Sequence, residues 1–246
     1  MFTKLWRNSK NRKIVGNNFA EVKQTSKGLR YSKKFKSVNG YTTSQQTIAR
    51  PKSSRSHYQL VTPNGETINL DRRWRQLSNT HFQSSFNGQK YDMVWAKDSV
   101  VCSKLDKNGK VIETITLDSS QIDEHAIPML KKVHGDYLFK IKKMGTKVEY
   151  AEYLPEFAFN DKTNVIYIGD DVSSFMHELG HAIDFNLLNK INADKTFQRI
   201  HSKELRNMKR IASPQELKSI EYFTPNGNYQ ENSEFAEAFA EICEIL

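Results

Sequence analysis

Residues 172–187 read Val-Ser-Ser-Phe-Met-His-Glu-Leu-Gly-His-Ala-Ile-Asp-Phe-Asn-Leu. Phe175, Met176, Leu179, Ala182, Ile183, Phe185 and Leu187 recur at spacings that predict a helix with one apolar face. Asp171, Ser173 or Ser174 is placed to cap its start. Just upstream, Asn164-Val-Ile-Tyr-Ile168 is an apolar run of strand length, stopped by Gly169-Asp-Asp171. Inside the helix, His177-Glu178-Leu179-Gly180-His181 has the pattern H-E-x-x-H. The i, i+4 spacing puts both imidazoles on one face, about 5–6 Å apart at Cβ. From there both rings can reach a single zinc ion at ~2.0–2.1 Å. Glu178, beside the first of them, is placed to take a proton from a water activated by that zinc.

A catalytic zinc takes a third protein ligand and keeps its fourth position open. A His six positions after His181 would mark the metzincin pattern, but position 187 is Leu. The remaining candidates lie in Ser233-Glu-Phe-Ala-Glu-Ala-Phe-Ala-Glu-Ile242, which reads as a second helix with Phe235, Ala238, Phe239 and Ile242 on its inner face. Glu234, Glu237 and Glu241 border that face at spacings of three and four. Glu237 is the first choice for the ligand and Glu234 the reserve. Glu241, one turn on, would support a ligand histidine by a hydrogen bond, and Asp184 is a further candidate for that role.

Together, His177-Glu-Leu-Gly-His-Ala-Ile-Asp184 and Glu234-Phe-Ala-Glu-Ala-Phe-Ala-Glu241 resemble the catalytic domain of the anthrax lethal factor family of bacterial and phage-borne zinc metallopeptidases, of the gluzincin type. That family pairs H-E-x-G-H-A-x-D with a later E-F-F-A-E-A-F helix. The resemblance spans about residues 115–246. It implies a zinc metalloendopeptidase acting on a protein or peptide, and an α+β, zincin-like domain with a small mixed sheet and the H-E-x-x-H helix. In the family the first Glu of E-F-F-A-E binds zinc and the second supports the site. Aligning on Phe-Ala-Glu-Ala-Phe would put Ser233 at the ligand position, whereas aligning on Glu-x-x-x-Glu gives Glu237 and Glu241 those roles. Serine is a poor zinc ligand, so the second alignment is preferred. A family tyrosine that stabilises the oxyanion corresponds in placement to Tyr229, with Tyr222 as a weaker substitute. The run at Val165–Ile168 would be an edge strand on which an extended substrate could lie by strand addition.

Charge sets the expected domain boundaries. Through residue 60 there are 14 Lys and Arg against the single acid Glu21, while the rest of the chain holds 23 basic and 27 acidic residues. The net +9 therefore resides in the first quarter. Rich in Ser, Asn, Gln and Thr without apolar period, residues 1–56 read as a basic flexible arm, suited to an anionic partner. Residues 57–117 read as a small β-rich module, with turns at Pro63-Asn-Gly65 and Lys107-Asn-Gly109 and strands near 91–95, 100–105 and 111–117. Residues 118–246 hold the expected catalytic domain. There Ser119 or Ser120 would cap a helix through Ile122, Ala126, Ile127, Leu130 and Val133, with strands at 137–141 and 147–150.

Cys102 and Cys243 are too few for a disulfide framework or a four-cysteine zinc site and read as inert thiols. No apolar run approaches the ~20 residues of a membrane span. The start, Met-Phe-Thr-Lys-Leu-Trp-Arg, lacks the pattern of a signal peptide. Secretion or delivery by another route, or association with phage, is the expectation. The competing reading is a basic protein that binds nucleic acid or a particle surface and carries a degenerate zincin domain.

Overall fold

A strand needs a paired backbone before it needs an apolar face, and this governs the first half of the chain. The computed structural model describes residues 13–15, 18–26, 28–36, 40–151, 158–169, 172–188 and 194–211. Ten strands follow one another in a single sheet whose spatial order equals their order in sequence. They are β1 (Lys13–Val15), β2 (Asn18–Thr25), β3 (Gly28–Lys36), β4 (Thr42–Arg50), β5 (Ser53–Val61), β6 (Thr67–Gln76), β7 (His81–Phe86), β8 (Gln89–Trp95), β9 (Val100–Leu105) and β10 (Val111–Leu117). From β1 to β8 each neighbour pairs antiparallel with the next.

This sheet corrects two expectations. The described chain is mostly β, a ten-stranded sheet with a smaller one and four α-helices among the described residues, and not the α+β zincin-like fold that the motif suggested. The described part of the basic segment 1–56 forms strands, and β5 runs across the expected boundary at 56/57. The reason is physical. Segments such as Thr-Thr-Ser-Gln-Gln-Thr in β4 offer no apolar alternation, yet each residue supplies a backbone donor and acceptor that a meander satisfies. Hydroxyl and amide side chains add cross-strand bonds, as between the Thr47 and Ser56 hydroxyls at 2.9 Å.

The turns follow glycine chemistry. Gly65 and Gly109 adopt φ of +89° and +85° at the two anticipated turns. A third, Asn87-Gly88, with φ of +47° and +83°, joins β7 to β8. Both central residues have positive φ, the two-residue hairpin geometry that Asn-Gly favours.

The chain divides into two units: residues 1–94, 102–114 and 134–136, and residues 95–101, 115–133 and 137–246. In the first, Phe82, Tyr91, Met93 and Cys102 are buried with an ion pair between Arg72 and Asp136. The guanidinium donates to both carboxylate oxygens, at 3.3 and 3.4 Å. Burial pushes the Cys102 thiol up to about 12, with Asp92 and Asp136 adding to the shift, so it stays protonated and inert. Cys243 lies outside the described residues.

His134 belongs to the same unit. Its Nδ1 is buried without a hydrogen-bond partner. Burial, then the neighbouring Arg72, lowers its pKa to about 4, against an opposing pull from Asp136. The unfolded chain, with a pKa of ~6.5 for this residue, takes up a proton that the folded chain refuses. Stability from His134 is therefore complete above about pH 6.5 and is lost as pH falls toward 4, by up to roughly 3 kcal/mol. Denaturant midpoints measured from pH 7 to 4 should fall less steeply for His134→Gln than for the wild type. Parallel curves would show that His134 does not titrate this way.

The second unit contains a three-stranded sheet ordered β11 (Lys147–Tyr150), β13 (Val165–Ile168), β12 (Ala158–Asn160). β11 runs parallel and β12 antiparallel to β13. Helix α1 (Ile127–Leu130), preceded by a 3-10 turn at Glu124–Ala126, and helix α2 (Gly135–Met144) precede it. Helices α3 (Val172–Leu187) and α4 (Lys195–Ile211) follow. The long helix expected from Ser119 or Ser120 is broken. Asp123 caps the 3-10 turn, Ile122 forms an isolated bridge to Val148, and Ser120 donates to Asp118 instead. Residues 137–141, expected as a strand, lie in α2, which has Asp136 in its first turn and Lys142 and Lys143 in its last.

β13 also departs from expectation. Both its edges are taken by β11 and β12, so it is the central strand, not an edge open to strand addition. A continuous Val-Ile-Tyr-Ile run is the mark of a strand covered on both faces.

Candidate metal centre

α3 packs against β12 and β13 of its own unit. Phe175, Leu179 and Ala182 are fully buried and fix the rotation of the helix. Phe159 of β12 meets Phe185 edge-on at 6.0 Å. At the helix C-terminal end Asn186 donates to the Asn164 side-chain oxygen at 3.0 Å. That oxygen also accepts from the Thr146 hydroxyl at 2.9 Å, and the Asn164 amide donates to the Met144 carbonyl at 2.9 Å. Asn164 holds a φ of +55°, which an asparagine tolerates better than most side chains.

This one residue ties α2, β13 and α3 together. Asn164→Ala should cost roughly 2–4 kcal/mol, by stranding the buried Thr146 hydroxyl and by straining the backbone. Asn164→Gly should recover the backbone part. Equal stability of all three proteins in thermal melts would contradict this role.

With the helix so fixed, His177, Glu178 and His181 converge. One ligand atom from each lies within 4.8 Å of the others. The two Nε2 atoms are 3.1 Å apart, and the rings meet at 80° with centroids 4.8 Å apart. Two nitrogens bound at ~2.0–2.1 Å to one tetrahedral ion would stand ~3.3–3.4 Å apart. The imidazole pair therefore fits one zinc with a shift of a few tenths of an ångström, and its donors suit that metal.

Glu178 is 8% exposed. Its Oε2 accepts the backbone N–H of Phe159 at 2.7 Å, so β12 holds the carboxylate in place beside the imidazoles. No side-chain pattern marks that anchor, because it uses only a backbone amide. Asp184 lies on α3 and is 4% exposed. A spacing of seven residues keeps it on the face of His177. Of the cap candidates, Ser173 and Ser174 fall inside α3, and Asp171 lies outside the described residues. Glu234, Glu237, Glu241, Tyr222 and Tyr229 also lie outside them.

The second unit thus presents a helix-borne His-Glu-His cluster, of a kind suited to a divalent metal, seated on a small mixed sheet. Residues 94–243 match the family model described as anthrax toxin lethal factor, N- and C-terminal domain. The match spans more than half of the chain, and the chain belongs to that family. No curated protein and no solved structure matches it.

Proposed function

We propose that the chain is a zinc-dependent metalloendopeptidase in which His177 and His181 hold the metal and Glu178 is the general base. The observation that carries this reading is the 3.1 Å approach of the two Nε2 atoms beside a carboxylate held by the backbone of β12. When bound, zinc supplies Lewis-acid polarisation of a carbonyl and lowers the pKa of a water. Glu178 takes the proton of the attacking water and delivers it to the leaving amine. The Phe159 amide keeps the carboxylate aimed through that transfer. Glu237 completes the ligand set, with Glu234 as the alternative. Glu241 and Asp184 orient the imidazoles, and Tyr229 donates a hydrogen bond to the oxyanion, a contact worth ~2.7–4 kcal/mol in comparable sites.

Incubation of the zinc-loaded chain with an unbiased peptide library tests the activity and reads the specificity at the same time. Cleavage should vanish with a chelator and return with zinc. Cleavage indifferent to chelation, or none from a chain shown to carry zinc, would refute the proposal.

A further inference from the structure

Register in the large sheet places one line of cations on one face of the first unit. Residues directly opposite across a ladder point the same way. Following the pairs across β2 to β8 gives Lys23, Arg30, Ile48, Arg55, Arg73, Ser85 and Lys90 on a single rung. Six inter-strand steps of ~4.8 Å make this line roughly 29 Å long. Five of its seven members are cationic, all exposed, and two pairs, Lys23 with Arg30 and Arg55 with Arg73, are like charges facing one another. Such pairs destabilise a sheet unless an anion lies over them.

The acids of this face answer one of the five charges, that of Lys23, and the other two acids are held by histidines. Glu21 pairs with Lys23 at 2.7 Å, Asp71 with His57 at 3.1 Å, and Asp92 with His81 at 2.8 Å. Among the described residues, none of Arg30, Arg55, Arg73, Arg75 and Lys90 forms an ion pair. Beside the line, a cleft of about 480 Å³ draws Arg73, Arg75 and Lys90 together with Gln83 and Ser85, and no carboxylate lines it.

We propose that this rung is a track for the phosphodiester backbone of a nucleic acid. The cations form a narrow band: Arg50 and Arg75 flank the line on one neighbouring rung, which ends in Asp92, while Glu21 and Asp71 sit on the other. The charge therefore runs along the line as on a charged chain and is broken by acids on both sides, unlike a plane of lipid headgroups. Three of its five cations are arginines, whose planar fork binds phosphate through two parallel hydrogen bonds. The inference is independent of the metal centre.

Fluorescence anisotropy of a labelled 20-nucleotide oligo-dT, titrated with the full chain between 50 and 200 mM salt, tests it. Arg55→Gln with Arg73→Gln should weaken binding at least about 10-fold. The same change should flatten the slope of log affinity against log salt by about 1.4, two contacts at ~0.7 each. Lys195→Gln with Lys203→Gln, on α4, should leave binding within about twofold. If circular dichroism shows the first variant misfolded, Arg30→Gln with Lys90→Gln carries the same expectation from other positions on the line. Equal losses in the rung and α4 variants would overturn the proposal, as would no binding. Tighter binding to phosphatidylserine vesicles or to heparin than to the oligonucleotide would overturn it too.

Discussion

Glu178→Gln should abolish peptide cleavage, by a factor of 10² to 10⁴ or about that, while the protein keeps its zinc and its melting temperature. The size follows from what a positioned general base contributes to proton transfer. Glutamine has nearly the shape of glutamate, and its amide oxygen can still accept from the Phe159 N–H, so the anchor to β12 survives. What is lost is the capacity to take a proton. The pair of readouts matters: zinc content measured on the protein that fails to cleave separates loss of the base from loss of the site. Undiminished cleavage by Glu178→Gln would mean that another group moves the proton.

His181→Ala should lower zinc affinity by at least about 100-fold, and His177→Ala likewise. Each removes one of two convergent nitrogens, and the remaining ligands cannot rebuild a tetrahedral set. His177 and His181 are both half-buried, so their replacement leaves the apolar side of α3, formed by Phe175, Leu179 and Ala182, intact. Zinc retention should therefore fail in a folded protein, which equilibrium dialysis against a metal buffer would measure. Wild-type affinity in both variants would place the metal elsewhere on the chain.

The legible parts of the chain are those with a local signature. The i, i+4 imidazoles, the helical period from Phe175 to Leu187 and the run before it carry their geometry in a few neighbouring residues. α3 and β13 lie where that pattern puts them. The strands at Val100–Leu105 and Val111–Leu117 and the Asn-Gly turn between them were legible for the same reason.

The misread parts lack such signatures or carry conflicting ones. β2 and β4 are held by a backbone ladder among mostly polar side chains. In β3 the alternation of Leu29, Tyr31 and Phe35 is outweighed by a basic, polar composition that favours a disordered arm, so only the part of β5 from Tyr58 onward was legible. β7 was missed although Asn87-Gly88 announces its hairpin. Tyr-Leu-Phe-Lys-Ile at 137–141 fits a strand or one turn and a half of helix, and only Asp136 before it and Lys142 and Lys143 after it favour the helix. That β13 is central depends on β11 and β12, which the residues of β13 cannot declare.

The proposed chemistry stands on His177 and His181 holding one zinc. X-ray absorption at the zinc edge of the metal-loaded chain, after one ion per chain is established by elemental analysis, addresses it most directly. Two imidazole nitrogens should appear at about 2.0–2.1 Å, with oxygen completing a four-coordinate shell. A shell without imidazole, or a chain that retains no zinc after dialysis, would contradict it.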